Sequence, residues 1–213
     1  MSIKTLNWKK HHHIGLDLDE TLAATMSGML EYSHSIGKLL HITHLDQIHK
    51  HDTSWLGSDI TPEEAIALWE GYGKSTPHPY DVLPIEDALE GVRKLHEIGK
   101  NIAIVTARSD KEPWKVERTH LWVRWHLGFL AHDRIYFVNH FSEDARPKSE
   151  ICKKMYISLM IDDAMENAYE LVRNDISCIL LEKPWNRDVE FDHPLLYRAK
   201  NWKEITDSLT HER

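Results

Sequence analysis

Cysteine is almost absent: Cys152 and Cys178 are the only two in 213 residues. Two thiols cannot staple a chain of this length, so a buried core must hold the fold, and a reducing cytoplasm is expected. Long apolar runs are missing as well. Nothing approaches the roughly 18 consecutive apolar residues of a membrane helix, and the opening MSIKTLNWKKHHH lacks the apolar stretch of a secretory leader. A basic excess is also missing. Lysine plus arginine number 26 against 34 aspartate plus glutamate, a formal charge of −8, the wrong sign for coating a nucleic-acid polymer. No internal repeat or low-complexity tract is visible. What remains is 41% hydrophobic and 28% charged residues, a composition that can bury a core and suits one domain with a substantial insert.

Five short apolar runs stand out: His13–Leu18, Asn101–Thr106, Arg134–Val138, Ile157–Ile161 and Ile176–Leu181. Each has strand length, and near-continuous apolar character suits strands buried on both faces. Helical patterns lie between them. Ile85, Ala88, Leu89, Val92, Leu95 and Ile98 recur at three- and four-residue spacing and stop at Gly99. Pro113 opens a second helix running to Gly128, and Asp163 to Asn174 reads as a third. Strand and helix in alternation predict an α/β fold with a parallel sheet and right-handed crossovers. From Ala23 to Pro84 the rhythm breaks: helical stretches at Met26–His41 and Pro62–Ser75 lead to a proline-dense hinge, Thr76–Tyr80. The expected organisation is a core of residues 1–23 and 84–213 with a helical insert over 24–83. Past Phe191 only a last helix, Trp202–Leu209, is predicted.

The chemistry concentrates at the ends of these runs. In Leu16-Asp17-Leu18-Asp19-Glu20-Thr21-Leu22, residues two apart on a strand share a face, so Asp17 and Asp19 would point at one spot. Asp162 and Asp163 follow another apolar run, Thr106 ends a third, and Lys148 opens a short helix, Pro147–Cys152. Open parallel sheets gather ligands at the carboxyl ends of their strands. Four carboxylates in one crevice repel each other and need a cation or protons. Mg²⁺ suits oxygen ligands of this kind, and with Lys148 the site fits a phosphoryl group whose charge moves during transfer.

The order DLDETL, VTAR, a lysine, then IDDAMEN resembles the four motifs of the haloacid dehalogenase-like hydrolase superfamily. The resemblance implies a Rossmann-like doubly wound sheet with a helical C1 cap after the first strand. Within that superfamily, Lys148–Cys152, the IDDAMENA segment and Pro184-Trp185-Asn186 are similar to 5′(3′)-deoxyribonucleotidases; those commonly carry DxDG where this chain has Glu20. The resemblance implies that Asp17 is the nucleophile and that Asp19 is the general acid and base. Thr106, Ala107 and Lys148 would bind the phosphoryl group. Asp17, the Asp19 carbonyl and Asp162 would hold Mg²⁺, with Asp163 an outer or second ligand. The implied activity is phosphomonoester hydrolysis in the cytoplasm through an aspartyl-phosphate, on a small phosphorylated substrate such as a (deoxy)ribonucleoside monophosphate. A phosphatase of another metabolite such as a sugar phosphate, and a non-catalytic binding protein on the same fold, are the alternatives. No membrane and no nucleic-acid polymer are expected as partners, and a homo-oligomer stays open.

Blander readings stand beside these. Asp17 and Asp19 could cap a strand end, Thr106 is an ordinary β-branched strand residue, Lys148 could be solvated, and Asp162-Asp163 could serve a helix N-terminus. Arg108 reads equally as a phosphate contact or a surface side chain. His11, His12 and His13 read as a polar lead into the first strand or a remnant of expression design. Among the insert's residues, His34, His41, His44, His49 and His51 read mostly as solvated, and Trp55, Trp69 and Tyr72 are its candidate substrate-facing aromatics. Cys152 and Cys178 read as inert buried thiols.

Overall fold

The computed structural model describes residues 1–39, 41–49, 60–76, 78, 81–131, 133–140 and 142–209. Trp55, His51, Pro77, Pro79 and Tyr80 lie outside them. Six strands form one parallel sheet: β1 (His13–Leu16), β2 (Asn101–Thr106), β3 (Ile135–Phe137), β4 (Leu159–Asp162), β5 (Ser177–Leu181) and β6 (Leu196–Ala199). Their spatial order is β3-β2-β1-β4-β5-β6. The chain therefore reverses direction across the sheet between β1 and β4, and in open α/β sheets that reversal marks the ligand crevice.

Alternation along the strands splits the core in two. Ile14, Leu16, Ile102, Ile104, Leu159 and Ile161 face one side, where α3 (Ala88–Glu97), α4 (Pro113–His126) and α7 (Trp202–Leu209) cover them. Ala103, Val105, Met160, Cys178 and Leu180 face the other, under α5 (Lys148–Lys154) and α6 (Met165–Arg173). No described helix is long and apolar enough to cross a membrane. Both cysteines are free and buried.

Between β1 and β2 the chain detours through α1 (Thr25–Ser35) and α2 (Pro62–Ser75), and no named strand falls among the described residues of that detour. The two helices approach closely at glycines. A Cβ on Gly28 would meet the Tyr72 hydroxyl at 2.3 Å, and one on Gly71 would meet the Tyr32 hydroxyl at 2.3 Å. Thr61 starts α2 with a capping box: its hydroxyl accepts the Glu64 N–H at 3.2 Å and the Glu64 carboxylate accepts the Thr61 N–H at 2.9 Å.

Several boundaries differ from the sequence reading, and one strand was not expected. The α1 helix stops at Ser35 rather than His41 because the chain turns left-handed at Gly37, φ +73°. The α6 helix starts at Met165 because the Asp162 carboxylate captures the Ala164 N–H at 2.9 Å. Strand β1 ends at Leu16, two residues short. Finally β6, whose Leu-Tyr-Arg-Ala sequence carries no alternation signal, was not expected as a strand at all; it is an edge strand beside β5.

Candidate active site

The loop after β1 is a tight reversal. Asp17 still pairs with the sheet, its N–H donating to the Ile161 carbonyl at 2.9 Å. Then the chain doubles back: Leu18 O accepts from both Leu22 N–H (2.9 Å) and Ala23 N–H (2.8 Å). Glu20 takes the left-handed conformation this turn needs, φ +55°, a conformation that favours glycine. Asp17 and Asp19 thus lie past the strand, and the shared-face argument for them does not hold. They part company instead.

Asp17 turns toward Lys148 and β4. The register Leu16↔Ile161 puts Asp17 level with Asp162, the last residue of β4. Lys148, 2% exposed at the start of α5, donates to Asp17 Oδ1 at 2.6 Å and to Asp162 Oδ2 at 2.7 Å. Asp162 is braced by Asn167, whose Nδ2 reaches its two oxygens at 3.0 and 3.2 Å. Asp163 accepts from the Thr21 hydroxyl at 3.4 Å and from Trp185 Nε1 at 3.0 Å. Asp17, Asp162 and Asp163 are all buried, and each places a carboxylate oxygen within 4.8 Å of the others'.

Asp19 turns the other way. Arg108 grips it as a fork, Nε to Oδ2 at 2.9 Å and Nη2 to Oδ1 at 2.6 Å, while the Thr25 hydroxyl donates to Oδ1 at 2.5 Å. Arg108 Nη1 is anchored on the Thr119 hydroxyl at 3.0 Å. Thr106, fully buried at the end of β2, accepts the Arg108 N–H on its hydroxyl at 3.2 Å. Ala107 follows it, its carbonyl accepting the His140 N–H at 3.0 Å. Tyr72 of α2 is buried nearby, and burial followed by the charge of Asp19 pushes its phenol up to about 12.

The electrostatics follow the geometry. Burial, beyond what the Lys148 charge recovers, and the carboxylates of Asp162, Asp163 and Asp19 push the Asp17 carboxyl up to about 8. Burial and the neighbouring Asp162 push Asp163 up to about 8 as well. Burial also works against the charge of Lys148, but Asp162 and Asp17 outweigh it and hold its pKa above the ordinary lysine value. Asp19 is the opposite case. Burial would raise it, yet the Arg108 charge and the hydrogen bonds from Arg108 and Thr25 hold it below the usual carboxylate range. Three buried carboxylates against one ammonium leave an uncompensated charge of two, met by protons or by a divalent cation. An all-oxygen donor set of this kind fits Mg²⁺.

A family model described as 5′ nucleotidase, deoxy (Pyrimidine), cytosolic type C protein matches residues 11–213. The chain belongs to this family. No curated protein sequence matches it. Among solved structures, the fold is similar to a haloacid dehalogenase-like hydrolase from Streptococcus pneumoniae, with TM-score 0.63 and 14% identity over 96% of this chain and 100% of that one. It is also similar to CbbY from Rhodobacter sphaeroides in complex with phosphate, with TM-score 0.57 and 14% identity over 92% and 96% of the two chains. A variant of CbbY bound to xylulose-1,5-bisphosphate matches with TM-score 0.57 and 11% identity over 90% and 95%. As a 5′ nucleotidase-family chain on a haloacid dehalogenase-like fold, the protein is a phosphatase.

Around the carboxylates, several residues have partners that the sequence reading did not supply. Arg108 is one, because its partner Asp19 lies 89 positions away. Trp185 and Asn186 are others: Asn186 Nδ2 donates to the Asp163 carbonyl at 2.7 Å and to the Leu181 carbonyl at 2.8 Å. Glu20 is the fourth. Its Oε1 accepts the Met26 N–H at 2.6 Å and its Oε2 faces Lys183 Nζ at 3.3 Å. The histidine run supplies no residue to the carboxylate cluster; His11 Nδ1 instead lies 3.0 Å from the Ser158 hydroxyl.

Proposed function

We infer that the protein hydrolyses the phosphate ester of a (deoxy)ribonucleoside 5′-monophosphate, by way of a phosphorylated Asp17. The observation that carries this is the buried Asp17–Lys148–Asp162 chain with Asp163 beside it, at the sheet's switch point. Asp17, the Asp19 carbonyl and Asp162 would hold Mg²⁺, with Asp163 completing or supporting the set. A bound Mg²⁺ supplies positive charge that offsets repulsion between the phosphate and Asp17. An Asp17 oxygen attacks phosphorus while the bond to the ester oxygen breaks. Asp19 delivers a proton to that departing oxygen, then takes one from the water that hydrolyses the aspartyl-phosphate. For the first task it must leave the Arg108 fork in protonated form; for the second, its ionised state is the competent one. Lys148 neutralises the phosphorylated Asp17, and Thr106 and Ala107 receive the phosphoryl oxygens.

The division into a core of residues 1–23 and 84–213 and a cap of 24–83 belongs to the same reading. Its support is the separate apolar cluster of α1 and α2, with Tyr72 and Thr25 beside Asp19. A seated cap would exclude water while the ester is cleaved. Two unpaired, buried cysteines agree with a reducing cytoplasm. A sugar phosphate is the second candidate substrate, favoured by the fold neighbour bound to a sugar bisphosphate.

The test is a panel of nucleoside monophosphates and sugar phosphates at one concentration, with Mg²⁺ and with EDTA. We expect Mg²⁺-dependent turnover, highest with a nucleotide. Fast turnover of a sugar phosphate with every nucleotide inert overturns the substrate; turnover indifferent to EDTA overturns the cation.

A further inference from the structure

The loop after β5 touches both halves of the molecule. Lys183 N–H donates to Asn186 Oδ1 at 3.1 Å, closing a turn over Lys183, Pro184, Trp185 and Asn186. Trp185 is buried in the apolar cluster of the insertion, with Met26, Met29, Leu30 and Tyr72. Among the described residues it is the one buried member of that cluster from outside 24–83. Its other end faces the carboxylates, where Nε1–H donates to Asp163 Oδ2 at 3.0 Å. A second link runs alongside: Lys183 pairs with Glu20, and Glu20 accepts the Met26 N–H at the first turn of α1. One apolar contact and one ionic contact therefore tie α1 to the loop that orients Asp163.

An indole N–H is a donor only. By donating to Oδ2 it fixes the rotation of the Asp163 carboxylate, and with it the directions from which the carboxylate can meet a cation. Partners of metal-binding carboxylates act in this way and tune affinity without touching the ion. The indole can do so only while the apolar cluster holds its ring. We propose that Trp185 is a positioning residue that couples the seating of the α1–α2 insertion on the core to the divalent-cation affinity of the Asp17-Asp162-Asp163 cluster. Linkage makes the coupling reciprocal, so a bound cation favours the seated insertion. The inference rests on the cation site of the preceding reading and adds to it a route by which the insertion controls it.

Mn²⁺, which takes the same oxygen donors, serves as the probe. It is titrated into the metal-free full chain, wild type and Trp185→Phe, with free ion read by electron paramagnetic resonance. Amide hydrogen exchange of α1 is followed with and without Mn²⁺. Phenylalanine keeps an aromatic ring in the cluster and removes the donor, and thermal unfolding should show a folded protein modestly less stable than wild type. We expect Mn²⁺ affinity to fall about 10-fold in the variant. We also expect Mn²⁺ to slow α1 exchange in the wild type and to do so much less in Trp185→Phe. Equal affinity in the two proteins, or α1 exchange indifferent to Mn²⁺ in the wild type, overturns the coupling while leaving the cation site standing. A wild type that binds no Mn²⁺ overturns the site, and the coupling with it.

Discussion

Asp17 and Asp19 are separated by one leucine, yet the two sides of the crevice they occupy are electrically opposite. On the Asp17 side, three buried carboxylates cluster and the Lys148 ammonium bonds only two of them. On the Asp19 side, one carboxylate has both its oxygens taken by a guanidinium fork and one of them by a hydroxyl as well. The first is short of positive charge and calls for a cation. The second is compensated by the protein itself. The difference teaches that two carboxylates one residue apart can sit in opposite electrostatic settings, which suits the roles proposed for them: a nucleophile at Asp17 and a proton carrier at Asp19.

The sharpest way to break this comparison is to delete the two charges in turn. Asp17→Asn should lower kcat on p-nitrophenyl phosphate at saturating Mg²⁺ by at least about 10³-fold, since a nucleophile has no substitute. The same change should leave the metal-free protein as stable as wild type or more so above pH 7, because it removes one charge from the crowded side. Asp19→Asn should do the reverse to stability. It strands the buried side of Arg108, and urea unfolding should show a loss on the order of 1–3 kcal/mol. If both variants shift stability the same way, the two sides are not electrically distinct.

The pH dependence sharpens the same point. Asp17 and Asp163 have folded pKa values near 8, above the ordinary carboxylate value. Between about pH 4 and 8 the native state therefore holds protons that the unfolded chain has lost, so stability falls as pH rises through that window. In EDTA the melting temperature should drop between pH 6 and 8.5, and the stabilisation added by Mg²⁺ should grow over the same range. A gap independent of pH contradicts the raised pKa values. The smallest effect is expected from Thr25→Val, which removes one hydroxyl from Asp19: about 1 kcal/mol of stability, with kcat reduced more than KM is changed.

Much of this was legible in the sequence because it depends on neighbours along the chain. Apolar runs bounded by Asp17, Thr106 and Asp162 read as parallel strands, and a parallel sheet brings their carboxyl ends to one edge whatever lies between. The helix Pro62–Ser75 was equally plain from Ala65, Ile66, Leu68 and Trp69, which lie within a few positions of one another. What escaped depends on partners distant in sequence or on backbone shape. Period-two reasoning put Asp17 and Asp19 on one strand face, but the left-handed turn at Glu20 ends that period. Arg108 had no partner until the fold supplied Asp19. Trp185 stood in the sequence only as part of a segment similar to a family's, and its N–H, aimed at Asp163, is seen only in the fold. The β6 strand is held partly by Arg198, whose guanidinium donates to the Asn186 and Val189 carbonyls, contacts that no hydropathy pattern encodes.

The claim beneath all of this is that the Asp17 side holds protons where a divalent cation belongs. Calorimetric titration of Mg²⁺ into the metal-free protein at pH 7, repeated in two buffers of different ionisation enthalpy, counts the protons released. The account predicts that binding displaces about one proton from the cluster. Binding with no proton released, or no binding at all, would contradict it.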